Sequence, residues 1–276
     1  MTLSERNLFF KAGIFFCAAV ILFALAASFF TVPIYPEIEE NSNRPDHLFQ
    51  VISGLFLENN YYAVHTSLAF AALFSFAGML LIYRYFERTP TPEILYIAIF
   101  TVSMSFEAFR LFLPLHLAFY FPSIYLRIIT RLMLFAGYFG LFSLFTAGLC
   151  AAGLDVQKTR NAIFIIVIAA MVITLWVPID VHSWDTGFNL ICGYAVIYKM
   201  VELLVIITTL ISFLIAAKVR DSKEYVNVAI GVLFAMFGRN ILLGTDNWIG
   251  VAAGIPMLSF GILFICIKVH KIHLWL

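Results

Sequence analysis

The sequence predicts an all-α fold: a polytopic membrane helix bundle of about eight transmembrane helices with both termini cytoplasmic. Three observations lead there. Hydrophobic residues make up 63% of the 276 positions and charged residues 12%, with a mean hydropathy of +0.98, whereas ordinary soluble domains are about half apolar and about a quarter charged. Apolar runs of near membrane length recur along the chain, since a hydrocarbon core of about 30 Å needs about 20 helical residues. Lysine and arginine gather at alternate run ends, the pattern of the positive-inside bias.

The eight runs are residues 7–31, 61–86, 93–115, 121–149, 161–178, 188–217, 225–243 and 247–269. The first has a basic start and small residues that imitate a signal peptide. Its apolar core exceeds the usual length of about 7–15 residues and no clean cleavage pattern follows, so it is expected to stay as a helix. Residues 33–60 form the one longer link, expected to be an extracytoplasmic loop. Within it Leu48, Phe49, Val51, Ile52, Leu55 and Phe56 repeat at helical spacing, which suits a helix lying on the membrane surface. The third and fourth runs form a hairpin that turns between Pro114 and Pro122, because proline interrupts the helical hydrogen-bond ladder. Short, charged or Gly/Pro-bearing links separate the remaining runs. In the last one Gly250 and Gly254 stand at GxxxG spacing, with Pro256 following, which favours a close helix contact. No large polar region interrupts this order, so residues 1–276 are expected to form a single integral membrane domain.

With the N-terminus cytoplasmic, the inner ends hold Arg6, Lys11, Arg84, Arg88, Lys158, Arg160, Lys218, Arg220, Lys223, Lys268 and Lys271, and the outer loops hold Arg44. This asymmetry keeps both chain ends in the cytoplasm and makes the number of spans even. Glu37, Glu39, Glu40, Asp46, Glu58, Asp180, Asp185 and Asp246 fall on the other side, which is therefore acidic. A formal charge of +1 gives no basis for nucleic-acid binding. Membrane lipids are the expected surroundings, in a cell membrane.

Seven ionisable side chains remain inside the runs: Glu107, Arg110, Arg127, Arg131, Lys199, Glu202 and Arg239. Each costs roughly 2.5–3.5 kcal/mol to insert at a helix centre, so such groups face the bundle interior or a hydrated cavity. Counted at about 1.5 Å per residue from the proline-bounded turn, Arg110 and Arg127 share one depth. Glu107 and Arg131 share another, about a turn deeper, and are expected to pair. Lys199 and Glu202 form an i,i+3 pair on the sixth run, with Tyr198 at i−4 from Glu202, so all three keep near one helix face. Arg239 and Asn240 approach the same outer half from the seventh run, and His65 from the second.

The expectation is a polar pocket in the outer leaflet half. Arg110, Arg127, Arg131, Arg239 and Lys199 are its candidate ligand-binding groups, and Glu107, Glu202, His65, Tyr198 and Asn240 organise it. Five cations against two carboxylates leave an excess of three positive charges. Arginine's planar fork suits a carboxylate or a phosphate.

The cysteines at 17, 150, 192 and 266 sit in apolar runs without metal or redox spacing and are expected to be packing residues. His47, His65, His116 and His182 fall toward the outer face with no HxxxH or HExxH spacing, so neither a metal nor a cofactor is expected. No nucleophile constellation marks a catalytic residue. Binding remains: an anionic small molecule or lipid headgroup in an outer-facing pocket, in a receptor or sensory subunit that passes its signal to a separate cytoplasmic partner. Two other classes would use the same residues. One is a secondary transporter of an anionic solute, although inverted repeats and paired broken helices are not visible in the sequence. The other is a lipid-modifying enzyme with Glu107 or Glu202 as acid or base. The plainest alternative is a set of ion pairs that fix helix register.

Overall fold

A computed structural model describes residues 3–34, 59–87, 92–153 and 159–274. The loop expected at 33–60, with its surface-helix stripe and most of its acidic side chains, lies largely outside the described residues. The helices are α1 (Leu3–Thr31), α2 (Tyr61–Phe86), α3 (Pro92–Ser105), α4 (Phe112–Phe119), α5 (Ser123–Ala151), α6 (Thr159–Trp176), α7 (Ala195–Val219), α8 (Glu224–Gly244) and α9 (Trp248–Leu274). A 3₁₀ segment, Phe106–Leu111, joins α3 to α4, and a β-hairpin of β1 (Ile179–Trp184) and β2 (Leu190–Cys192) follows α6.

The chain is an all-α bundle, and among the described residues seven helical stretches are long and apolar enough to cross a membrane. The fifth expected run is the exception: α6 has 18 residues and its apolar part, Asn161–Trp176, is shorter than the others. Large apolar side chains cover the outside of the bundle, with Phe15 77% and Trp176 81% exposed. A water-soluble surface rarely carries so much contiguous apolar area.

Two other expectations change. The third run does not stop at Leu115 but continues through Pro114 and Leu115 to Phe119, and the chain turns at Tyr120, whose φ of 53° ends the helix in the left-handed region. The sixth run begins at Ala195 rather than Phe188, because Phe188 belongs to the hairpin. Apolar and polar residues alternate from Ile179 to His182, and burial alternates from Ile179 to Trp184, which is a strand pattern rather than a helical one. The strands pair antiparallel, Ile179 opposite Cys192 and Trp184 opposite Leu190.

α3 is the bundle's central helix, with every residue from Glu93 to Thr101 buried; an apolar surface all round is what a helix enclosed by others needs. α8 and α9 pack with backbones in contact: a Cβ on Gly238 would lie 2.4 Å from the Leu258 nitrogen, and one on Gly254 2.8 Å from the Leu242 Cα. Gly254 thus makes the close contact its spacing suggests, whereas Gly250 faces Thr245 in the turn before its own helix.

Contacts define the two ends of the bundle. At one, Arg6 Nη2 at the start of α1 donates to the Phe86 carbonyl at the end of α2 (2.7 Å), and the Phe86 ring meets His270 near the end of α9. Both ends of the described chain therefore meet there, and it is called the terminal end. At the other, the hairpin end, the Asn60 amide donates to the Asp246 carbonyl (2.7 Å), Tyr61 stacks on Phe188, and the Thr186 hydroxyl donates to the Asp246 carboxylate.

Candidate functional site

Four of the seven charged side chains converge between α5, α7, α8 and the 3₁₀ segment. Glu107 and Arg110 both lie in that segment. A 3₁₀ turn has about 3.0 residues, so positions i and i+3 eclipse. Arg110 consequently donates Nη2 and Nε to the same oxygen of Glu107, at 2.7 and 3.0 Å. Pro114 explains why the helix tightens here, because its ring removes the α-type hydrogen bond to the Arg110 carbonyl. The third nitrogen, Nη1, donates to the Leu243 carbonyl in the last turn of α8 (3.1 Å), a group with no partner of its own in the helix ladder.

Arg239 links Glu107 to a second carboxylate. Its Nη1 lies 2.8 Å from Glu202 Oε1 and 3.3 Å from Asn240 Oδ1, and its Nη2 lies 3.5 Å from Glu107 Oε1. Gly137 on α5 makes room for this side chain, since a Cβ there would stand 3.2 Å from Arg239 Nη2. The series Arg110–Glu107–Arg239–Glu202 alternates in sign and sums to zero. Exposure runs from 7% at Glu107 through 11% and 13% at the arginines to 26% at Glu202. A cavity of about 130 Å³ lies beside the four, lined also by Gly137, Tyr138 and Asn189.

The expected partners therefore change. Glu107 pairs with Arg110 and Arg239 rather than with Arg131, and Glu202 pairs with Arg239 rather than with Lys199. On α5 the buried positions Leu126, Thr130 and Met133 set the inward face, and Arg127 and Arg131 lie about 100° round from the first two. Arg127 is exposed. Arg131 is half-buried, its Nε without a hydrogen-bond partner among the described residues. Because α7 starts late, Lys199 occupies its second turn and is exposed instead of reaching mid-helix. The three surplus positive charges are thus not in the cavity.

Of the organising residues, Asn240 is exposed but touches Arg239, and Tyr198 is half-buried within electrostatic reach of Tyr138. His65 lies elsewhere, its Nε2 2.8 Å from Ser28 Oγ on α1. Among the described residues no three His, Cys, Asp or Glu side chains are grouped to hold a metal.

The hairpin closes one side of this centre. Asn189 lines the cavity, and Thr186 ties the hairpin to Asp246 between α8 and α9. Burial pushes the Asp246 carboxyl above its ordinary range, Thr186 opposes that shift, nearby Asp185 adds to it, and Arg110 opposes it. Sequence reasoning missed Gly137, Tyr138 and Asn189. The alternating strand signal after Pro178 was the clue available for Asn189; nothing local marks the other two.

Compared with the models of known protein families and with curated proteins, the sequence matches none.

Proposed function

We propose that the chain is a multi-pass protein of the cell membrane, and that the cavity beside Glu107, Arg110, Arg239 and Glu202 binds an anionic small molecule or lipid headgroup in a receptor or sensory subunit. The observation that carries this reading is the uneven engagement of Arg239: Nη1 is held at 2.8 Å by Glu202, while Nη2 stands 3.5 Å from Glu107. A nitrogen at that distance makes a weak hydrogen bond and is available to a stronger acceptor. The volume of about 130 Å³ is below the roughly 300–1,000 Å³ of sites that enclose a whole ligand. The cavity therefore takes a carboxylate or phosphate, and the rest of the ligand extends past Glu202, the most exposed of the four.

Orientation follows from charge. Arg6, Arg84, Lys218, Arg220, Lys268 and Lys271 lie on helix ends at the terminal end, which supports placing that end in the cytoplasm. Asp180, Asp185 and Asp246 at the hairpin end then face outward with the cavity. The 3₁₀ segment is the natural moving part, since mid-helix 3₁₀ stretches mark hinges. A ligand that draws Arg239 from Glu107 loosens that segment's fastening to α8, and a cytoplasmic partner reads the change.

The test is a thermal-shift screen of carboxylates and phosphates with the purified chain in detergent. Glu202→Gln is expected to tighten anion binding by about tenfold or more, because it releases a charge-assisted donor worth about 1.5–3 kcal/mol. Arg239→Gln is expected to abolish binding. Unchanged affinity in both variants, each still folded, rejects the site.

A second reading, a secondary transporter of an anionic solute, is favoured by one observation: the 3₁₀ interruption of the third stretch at the level of its charges, since transporter sites are built on discontinuous helices. Uptake of the same anion into proteoliposomes supports the transporter; saturable binding without uptake supports the receptor.

A further inference from the structure

The bundle carries a second concavity, far from the charged cavity and larger: a groove of about 610 Å³ at the elbow between α7 and α8. Ile211, Leu214 and Ile215 of α7 and Val226 of α8 supply its apolar wall; Lys218, Ser222 and Lys223 lie toward its end, with Asp221. We propose that this groove binds one anionic phospholipid, an acyl chain along the apolar wall and the phosphate between Lys218 and Lys223. The proposal rests on the bundle spanning a bilayer but not on the anion site at the hairpin end.

Depth fits such an occupant. From Ile211 to Lys218 the helix rises about 10 Å, the step from acyl region to headgroup, and the elbow lies at the terminal end. There Arg220 Nη2 turns inward to the Cys150 carbonyl (3.2 Å) and Lys268 and Lys271 are taken by Glu224, at 3.1 and 2.7 Å. Lys218 and Lys223 are exposed and make no ion pair among the described residues. The elbow's fold holds them beside one groove: Asp221 adopts φ 46°, and the Arg220 and Ser222 amides return to the Ala216 and Ala217 carbonyls at 3.0 and 3.1 Å.

Two lysines against Asp221 leave a net positive rim. The Ser222 hydroxyl, also in the lining, adds a donor suited to a phosphate. In a bilayer the wall of exposed Ile211, Leu214 and Ile215 needs an acyl chain to cover it, and basic pockets between helices at the cytoplasmic side select anionic headgroups.

The experiment compares binding of phosphatidylglycerol and phosphatidylcholine by the full chain in detergent, read by native mass spectrometry and by the rise in Tm. The expected result is preferential binding of phosphatidylglycerol, weakened about tenfold or more in Lys218→Gln/Lys223→Gln. Lys11→Gln/Arg84→Gln, which removes the same charge at the same end, is expected to stay within about twofold of the native chain. Leu214→Trp narrows the groove with both lysines intact and is expected to weaken phosphatidylglycerol as well. Equal binding of the two lipids, equal losses in the two double variants, or full binding by Leu214→Trp overturns the proposal.

Discussion

Glu107 and Glu224 have the same surroundings in outline and different ones in substance. Glu107 stands between Arg110 and Arg239, with nitrogens at 2.7 and 3.5 Å; Glu224 stands between Lys271 and Lys268, at 2.7 and 3.1 Å. The first carboxylate is 7% exposed and the second 24%. Inside the bundle the cations are arginines, whose fork fills several acceptors at once: Arg110 serves Glu107 twice and the Leu243 carbonyl once. At the edge they are lysines, whose remaining hydration water can supply. One arrangement of charges is therefore costly to break by halves where water is excluded, because the remaining charge is left buried and unpaired, and a minor contact where water remains.

The largest effect should come from breaking the interior arrangement. Glu107→Gln leaves Arg110 and Arg239 short of a counter-charge, and unfolding in detergent should register a loss of about 3–5 kcal/mol, the range for removing one partner of a buried pair. Adding Arg110→Met should recover part of it, and adding Arg131→Met should recover none. Recovery by Arg131→Met instead would mean that Glu107 faces the other arginine.

Next in size is the packing that carries Arg239. Gly238→Ala would bring a methyl to 2.4 Å from the Leu258 backbone, and overpacking of this kind costs about 1–3 kcal/mol. Because Arg239 is the adjacent residue, the same variant should also weaken anion binding. A Gly238→Ala protein with native stability and native binding would separate the charged centre from the α8–α9 contact.

At the edge, Glu224→Gln should cost no more than about 1 kcal/mol, and the difference from the native chain should shrink as salt rises. A loss comparable with that of Glu107→Gln, or one insensitive to salt, would erase the contrast between the two carboxylates.

Composition and run length made the helical bundle legible, because a membrane-length helix announces itself residue by residue. The charged centre was legible by residue type and not by partner. Glu107, Arg110, Arg239 and Glu202 stood out as costly, but their pairing depends on a 3₁₀ turn that eclipses Glu107 with Arg110 and on where α7 begins. Arg127 and Arg131 were counted to the depths of Arg110 and Glu107 from a turn at Pro114–Pro122, but the helix runs on to Phe119 and the cavity beside Glu107 and Arg110 meets α5 from Met133 to Leu141. Rotation about the helix, fixed by Leu126, Thr130 and Met133, takes both arginines off the inward face as well. Depth is only as good as the turn it is counted from, and azimuth needs neighbours. Tyr138 and Gly137 acquire their roles only when Arg239 arrives from 100 residues further along the chain.

The smallest effects concern pH, and two aspartates at the hairpin end sharpen the same contrast because they should respond in opposite directions. Asp246 is partly buried, and burial raises its pKa, opposed by the Thr186 hydroxyl and by Arg110 and reinforced by Asp185. The folded chain therefore holds more protons than the unfolded one above the ordinary Asp value of about 3.9, so stability rises as pH falls through that window. Asp180 is fully exposed and held low by the Ser183 hydroxyl and then by the His182 amide. Its contribution is present above the ordinary value and is lost as pH falls through the lowered one. Tm measured in detergent from pH 3 to 7 should show both: Asp246→Asn should flatten the rise on mild acidification, and Asp180→Asn should reduce the fall at the acid end. An unchanged slope in Asp246→Asn between about pH 4 and 6 would mean that the carboxylate is hydrated in the folded chain, and that Thr186 holds the hairpin to the bundle without excluding water from it.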